Sequence, residues 1–335
     1  MLSAMVRPSA ERSIPRLSHR FMRRLPVFVL AGCLAGPALA QIDLRITVPA
    51  APGGAWDQTA HAIEHALVES GTARSVGVIN IPGGRGTSGF AEFVSRPAGE
   101  PNRLIVLGLP MLAGLARAKP SLAIESATPV ARLTAEYFAI AVPAESPIAT
   151  ARDLAEALRG DPAKVTLGGG ALGSVDHVLA ALLAKAAGAE PARLAYAPFF
   201  GPGEMIAALV EGKVAAAIGS LRQFEEQLAA GRLRLIGISS SERLEGVEVP
   251  TLIEQGIGLE LANWRGVLGP AEMTAAEREV LVETIDRMVR TPLWQAIRRK
   301  KGWRDAYLAG DDFAAFLRRE QARVTDALRS VGLAK

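Results

Sequence analysis

Cysteine is the scarcest residue of consequence: the chain of 335 residues has one, Cys33. That excludes a disulfide framework, and beyond residue 40 it excludes thiol chemistry altogether. Histidine is nearly as rare, with four copies, so a histidine-rich metal centre has few ligands to draw on. Aromatic residues make up only 5% of the chain; with abundant alanine and glycine this suits a tightly packed α/β protein. Long apolar runs are missing too. The segment Leu25 to Leu34 is short and interrupted by Pro26 and Gly32, with Gly36 and Pro37 just after it, so it makes a poor membrane span.

What the first forty residues do contain is an export signal. Arg7, Arg12, Arg16, Arg20, Arg23 and Arg24 precede the apolar run, and Ala38-Leu39-Ala40 closes it as a small-x-small cleavage site before Gln41. The reading is a secretory signal peptide over residues 1–40. Leu30-Ala31-Gly32-Cys33 has the form of a lipoprotein box, so lipid anchoring at Cys33 is the rival. Cys33 sits inside the apolar run, which favours cleavage at Ala40; either way the domain is expected outside the cytoplasm. The leader carries six Arg and one Glu, a net +5 against +4 for the whole chain, so the remaining residues carry −1. No basic footprint for nucleic acid survives.

The residues after the leader alternate short apolar runs with helical patterns. Strands are expected at Leu44 to Val48, Val76 to Ile81, Leu104 to Leu109, Phe138 to Val142 and Val165 to Leu167. Further strands are expected at Leu194 to Tyr196, Val214 to Ile218 and Leu233 to Ser239, with helices between. Thr150 with Asp153, and Thr274 with Glu277, read as helix starts. From residue 256 to the C-terminus the pattern is mainly helical, ending in a helix from Asp311 to Val331. Such alternation predicts an α/β fold with mainly parallel sheets flanked by helices, and ligands beyond the carboxyl ends of the strands.

Glycines gather at those ends, in three strand-to-helix turns. The first is Pro52-Gly53-Gly54-Ala55-Trp56-Asp57. The second runs from Pro82 to Gly89 and includes Gly86. The third is Gly168-Gly169-Gly170-Ala171-Leu172-Gly173-Ser174-Val175-Asp176-His177. Glycine permits sharp turns and close approach to the main chain. Helix N-termini present unpaired N–H groups and partial positive charge, and so bind anions. One glycine-rich connector is commonplace; three together suggest a site that grips carboxylates by backbone amides.

Competing readings of the same residues are weaker. Gly84 to Gly89 fits a dinucleotide fingerprint after a strand, but the next strand ends in Gly108-Leu109-Pro110 with no carboxylate for a ribose. His61 and His65 have zinc-protease spacing, yet Trp56, Ala60, Ile63 and Leu67 form the apolar stripe of that helix and turn both histidines toward solvent. Ser174 and His177 lie three apart at a helix start without a nucleophile elbow. Capping and ligand contact describe Ser174 better, and no catalytic residue, cofactor or metal is expected.

At these turns the sequence resembles the receptors of tripartite tricarboxylate transporters, also called the Bug receptor family. The resemblance runs from Gln41 to the C-terminus. Pro52 to Asp57 is similar to the family's Pro-Gly-Gly-x-x-Asp, Asn80 to Gly89 to its second glycine segment, and Gly168 to His177 to its third. Tyr196 to Glu204, Gly231 to Arg234, Val249 to Leu252 and Ala262 to Val267 resemble the branch named for tricarboxylates. The resemblance implies a two-domain periplasmic binding protein of type II-like fold, with the ligand between the domains. On that basis domain 1 is expected at 41–141 and 239–335, and domain 2 at 142–238. It implies a non-enzymatic, monomeric receptor that captures a small carboxylate, such as citrate or a dicarboxylate, for membrane permease subunits. A ligand-sensing adaptor for a two-component sensor kinase is the alternative role. The implied ligand contacts are Gly53, Gly54, Ala55, Trp56 and Asp57; Gly86; Gly170, Ala171, Leu172, Gly173, Ser174 and His177; and Phe200 with Gly201. Phe200 and Pro202 depart from the small or polar residues usual there; a Phe200 that lines the cleft would make the pocket smaller or less polar than one made for citrate.

Overall fold

The computed structural model describes residues 42–96, 99–118 and 122–334. The arginine-rich leader and Cys33 lie outside the described residues. Gln41–Lys335 forms one compact unit. It opens on β1 (Ile42–Val48), which buries Leu44, Ile46 and Val48. The first glycine turn then leads into α1 (Ala55–Glu69). Its stripe of Trp56, Ala60, Ile63 and Leu67 is buried, while His61 and His65 are exposed, as the helical periodicity expects. The pattern repeats through β2 (Ala73–Asn80), α2 (Thr87–Ser95), β3 (Arg103–Gly108) and α3 (Leu109–Arg117). β1 lies between β2 and β3 and is parallel to both.

The next strand, β4 (Thr128–Pro143), is 16 residues long, far longer than the run Phe138 to Val142 suggested. Beyond it come α4 (Ala151–Gly160), β5 (Leu167–Gly169), α5 (Val175–Ala186), β6 (Tyr196–Pro198) and α6 (Pro202–Val210). β7 (Ala216–Ser220), α7 (Leu221–Ala229) and β8 (Leu233–Ile238) complete the middle of the chain. Thr150 and Asp153 form the expected reciprocal cap of α4: Asp153 N–H donates to Thr150 Oγ1 at 3.1 Å and Thr150 N–H to Asp153 Oδ2 at 2.9 Å. The C-terminal part holds β9 (Ala262–Gly269), α8 (Ala275–Val289), α9 (Pro292–Lys300), β10 (Arg304–Ala309) and α10 (Gly310–Ser330).

The C-terminal region is mainly helical, as expected, but it also supplies β9 and β10, and one expectation needs correction. The sheet is mixed rather than mainly parallel. Parallel pairing is confined to β2–β1–β3 at one end and β6–β5–β7 at the other. Between them β9 runs antiparallel to β3 and β4, and β4 runs antiparallel to β7, β8 and β10. The order β2-β1-β3-β9-β4-β7-β5-β6 explains this: βαβ crossovers enforce parallel neighbours only within each half, and β4 and β9 join the halves without such crossovers.

β4 changes partners part-way along. Its residues up to Tyr137 pair with β9, and those from Phe138 pair with β7 and, from Ala139, with β8. Ser239, fully buried just after β8, stitches that point. Phe138 N–H donates to Ser239 Oγ at 2.9 Å, and Ser239 Oγ donates to the Leu261 carbonyl at 2.7 Å. The largest buried side chain, Trp264 of β9, meets Phe313 and Phe316 of α10 edge-on, with centroids 5.9 and 5.4 Å away. Such pairs are worth ~1 kcal/mol beyond area burial. They fix β9, and with it the polar residues at its start.

Candidate functional site

All three glycine turns lie at carboxyl ends of parallel strands, two on the first half-sheet and one on the second. The first is braced from within. Asp57 is 6% exposed; its Oδ2 accepts the Gly53 N–H at 2.8 Å, and its Oδ1 accepts Asn80 Nδ2 at 2.7 Å. Those hydrogen bonds hold the Asp57 carboxyl below the usual carboxylate range. Gly53 has φ +81°, the conformation that favours glycine. Gly53 N–H is therefore consumed by the turn, and Gly54 N–H leans on the Ala51 carbonyl at 3.4 Å. No side chain caps α1, so the amides of Ala55 and Trp56 are left for a ligand or water.

The second turn bends through Gly83, Gly84, Arg85 and Gly86, all at positive φ. Gly86 lies against Trp56: a Cβ there would come within 2.7 Å of the indole. Gly89 is glycine for packing, since a Cβ would sit 2.7 Å from the Ile81 carbonyl oxygen. Arg85 is a non-glycine residue at φ +57°, which costs on the order of 1 kcal/mol.

The third turn carries a part-buried polar cluster. Asp176 Oδ2 accepts the Gly170 N–H at 2.8 Å, and Tyr196 donates its hydroxyl to the Gly170 carbonyl at 2.7 Å. Burial pushes the Asp176 carboxyl up to about 6, against the opposing pull of the Gly170 amide. The His177 ring stacks on Tyr196, with centroids 3.9 Å apart and planes within 4°. His177 Nδ1 accepts the Gly173 N–H at 3.1 Å, so that nitrogen is unprotonated. Burial, then the Arg117 charge, pulls the imidazole down to about 4, leaving it neutral at pH 7. Ser174 caps α5 by accepting the His177 backbone N–H at 3.4 Å. The amides of Val175 and Asp176, at the helix start, have no intrahelical partner.

A cavity of about 510 Å³ opens where these turns meet. Ala55 and Trp56 of the first turn, Gly86 of the second, and Gly173 and Ser174 of the third line it. Residues not among the implied ligand contacts join them: Arg85, Pro110, Val175, and Asn263 and Arg265 at the start of β9. The antiparallel register that sets Arg265 beside Gly108 delivers those two to the cavity. Arg265 is buried, ion-paired with Glu136, and lies 5.3 Å over the Trp303 ring.

Other expected contacts fall elsewhere. Asp57 faces a larger cavity of about 740 Å³ on the other side of Ala55, walled by His61, His65, Arg222, Lys300 and Lys301. Only one glycine turn reaches it. Its His61 is tied to Glu64 at 2.7 Å, and among the described residues no group of three or more His, Cys, Asp or Glu could hold a metal ion. Gly170, Phe200 and Gly201 border a separate cavity of about 120 Å³, where Phe200 is 97% exposed. Phe200 therefore does not narrow the central cavity. Gly53, Gly54, Gly170, Ala171, Leu172 and His177 do not line the central cavity.

The comparisons with known proteins agree with this architecture. Residues 118–333, more than half of the chain, match the family described as "Tripartite tricarboxylate transporter family receptor". A UPF0065 protein from the tcbD-tcbE intergenic region of Pseudomonas sp. is 29% identical over 250 residues, covering 73% of each chain. Among solved structures, a TctC solute-binding protein from Polaromonas superposes with a TM-score of 0.73 at 24% identity, covering 87% of this chain and 99% of its own. A protein from R. palustris, solved with adipate, gives a TM-score of 0.67 at 22% identity, covering 88% and 99%. The α/β binding-protein fold, the meeting of the glycine turns and the matched segment together assign the chain: it belongs to the tripartite tricarboxylate transporter receptor family.

Proposed function

We propose that this receptor captures a small organic carboxylate in the cavity shared by the three turns and delivers it to the membrane permease subunits of a tripartite transporter. The observation that carries the reading is the convergence of two uncapped or partly capped helix starts, at Ala55–Trp56 and Ser174–Val175, on one cavity of about 510 Å³. That volume suits a small ligand. Each amide-to-carboxylate hydrogen bond contributes about 1.5–3 kcal/mol, so three or four would give roughly micromolar binding after association costs. The adipate held by a structural neighbour supports a carboxylate of this size.

In this reading the protein is exported by its leader, acts in the periplasm and performs no catalysis. Ser174 Oγ and His177 Nδ1 are both engaged inside the third turn, which argues against a nucleophile–base pair. Two domains, 41–141 with 239–335 and 142–238, would close on the ligand about the change of partners in β4. A thermal-shift screen of the purified protein against mono-, di- and tricarboxylates, with neutral sugars as controls, tests the proposal. At least one carboxylate should raise the melting temperature in a saturable way. No shift with any organic anion would overturn the receptor reading.

A further inference from the structure

Arg85 lines the cavity with a charge that no carboxylate answers. Arg265, the other guanidinium there, is ion-paired with Glu136. Arg85 instead donates one hydrogen bond, to the Leu172 carbonyl of the third turn at 3.0 Å. Arg117, from the end of α3, donates to the same oxygen at 2.9 Å. Among the described residues neither arginine has an acidic partner within ion-pair distance. Two cations sharing one neutral acceptor repel each other, and burial together with the Arg117 charge pulls the Arg85 guanidinium below its ordinary value. A guanidinium has five donor hydrogens, so most of the hydrogen-bonding capacity of Arg85 is unspent. It is held beside a wall of Trp56, Pro82, Pro110 and Val175.

A cavity with helix-start amides, an apolar wall and one uncompensated guanidinium fits a particular ligand shape. We infer that Arg85 is the specificity-determining residue of this receptor: it takes the second carboxylate of a dicarboxylate with an apolar middle, while helix-start amides hold the first. This rests on the carboxylate-receptor reading above. The apolar middle lies along Trp56 and its neighbours. Citrate, with three carboxylates and a hydroxyl on a short skeleton, leaves that wall unused and adds a charge without a partner. Arg117 is a positioning residue, fixing Leu172 so that Arg85 spans the second and third turns. Arg85 can pair both oxygens of the second carboxylate, a group that a one-ended acid lacks.

Isothermal titration calorimetry with adipate, hexanoate and citrate tests this on the wild type, Arg85→Gln and Arg85→Lys. Adipate and hexanoate have the same chain length and differ in the second carboxylate. Wild type should bind adipate at least tenfold tighter than hexanoate, and tighter than citrate. Arg85→Gln should lose at least tenfold more affinity for adipate than for hexanoate, and Arg85→Lys should recover part of the adipate loss. Equal losses on both acids, unchanged adipate binding in Arg85→Gln, or a preference for citrate would each overturn the role of Arg85 while leaving the receptor reading intact. Failure of the wild type to bind any organic anion would remove both. Thermal melts of the variants separate misfolding from lost recognition, and the lysine variant keeps the test open if the glutamine variant is unstable.

Discussion

The first and third turns use the same device in different surroundings. Each brings back an aspartate from its helix to accept a glycine N–H at the turn: Asp57 to Gly53 and Asp176 to Gly170, both at 2.8 Å. Asp57 also receives Asn80, and its carboxyl is held below the ordinary range. Asp176 receives no second donor of that kind, and burial pushes it up to about 6. The number of donors and the desolvation of the carboxyl therefore set how readily each brace takes up a proton. An anion site can tolerate a charged brace only if it faces away from the ligand. Asp57 does so, bordering the larger basic cavity instead.

The largest expected effect tests the first brace. Asp57→Ala leaves the Gly53 N–H without its acceptor and the Asn80 amide with only the Ala50 carbonyl at 3.1 Å. It should cost about 2–4 kcal/mol of unfolding free energy, read from denaturant titration, because buried donors lose a charged partner. A loss below about 0.5 kcal/mol would mean water replaces the carboxylate and would break the parallel between the turns.

The second test exploits the sign of the Asp176 shift. A carboxyl whose folded pKa is raised binds more protons folded than unfolded, so it favours folding increasingly as pH falls from about 6 toward 4. His177, pulled down to about 4, acts in the opposite sense: its contribution favours folding above its unfolded pKa and is lost as pH falls. Asp176→Asn keeps an acceptor for Gly170 and removes only the first contribution. The melting temperature of wild type relative to the variant should therefore rise as pH is lowered through this window. A pH-independent difference would show that Asp176 is fully ionised in the fold. The smallest effect is expected from Ser174→Ala, where the capping bond is long at 3.4 Å. A loss of about 0.5–1 kcal/mol, measured the same way, fits a cap; a much larger one would give the hydroxyl a further structural duty.

The sequence made the turns legible because glycine, helix capping and strand ends are local signals. Gly53, Gly86 and Gly173 adopt the positive φ that such turns need, and Thr274 caps α8 with Glu277 as its pattern suggests. What escaped was non-local. β9 is buried on both faces from Trp264 to Gly269, so it shows no two-residue alternation to mark a strand, and Asn263 and Arg265 were not tied to the site. Arg85 sits inside a glycine segment whose pattern says nothing of its side chain; its meaning comes from Leu172, 87 positions away. Phe200 sits in a turn motif, but nothing in the sequence around it says that its ring points outward. Asp57 was legible as a turn residue, though its partner Asn80 lies on another strand.

The place of β9 in the sheet has a consequence for how the molecule assembles. It lies between β3 and β4, strands completed more than a hundred residues earlier. Until residues 262–269 arrive, β3 and β4 each present an open edge of the kind that invites wrong pairing. The half of the molecule holding two of the three turns thus waits on the last third of the chain to close. A fragment ending before Ala262 would carry the glycine turns and α1 but lack the strand that joins their scaffold.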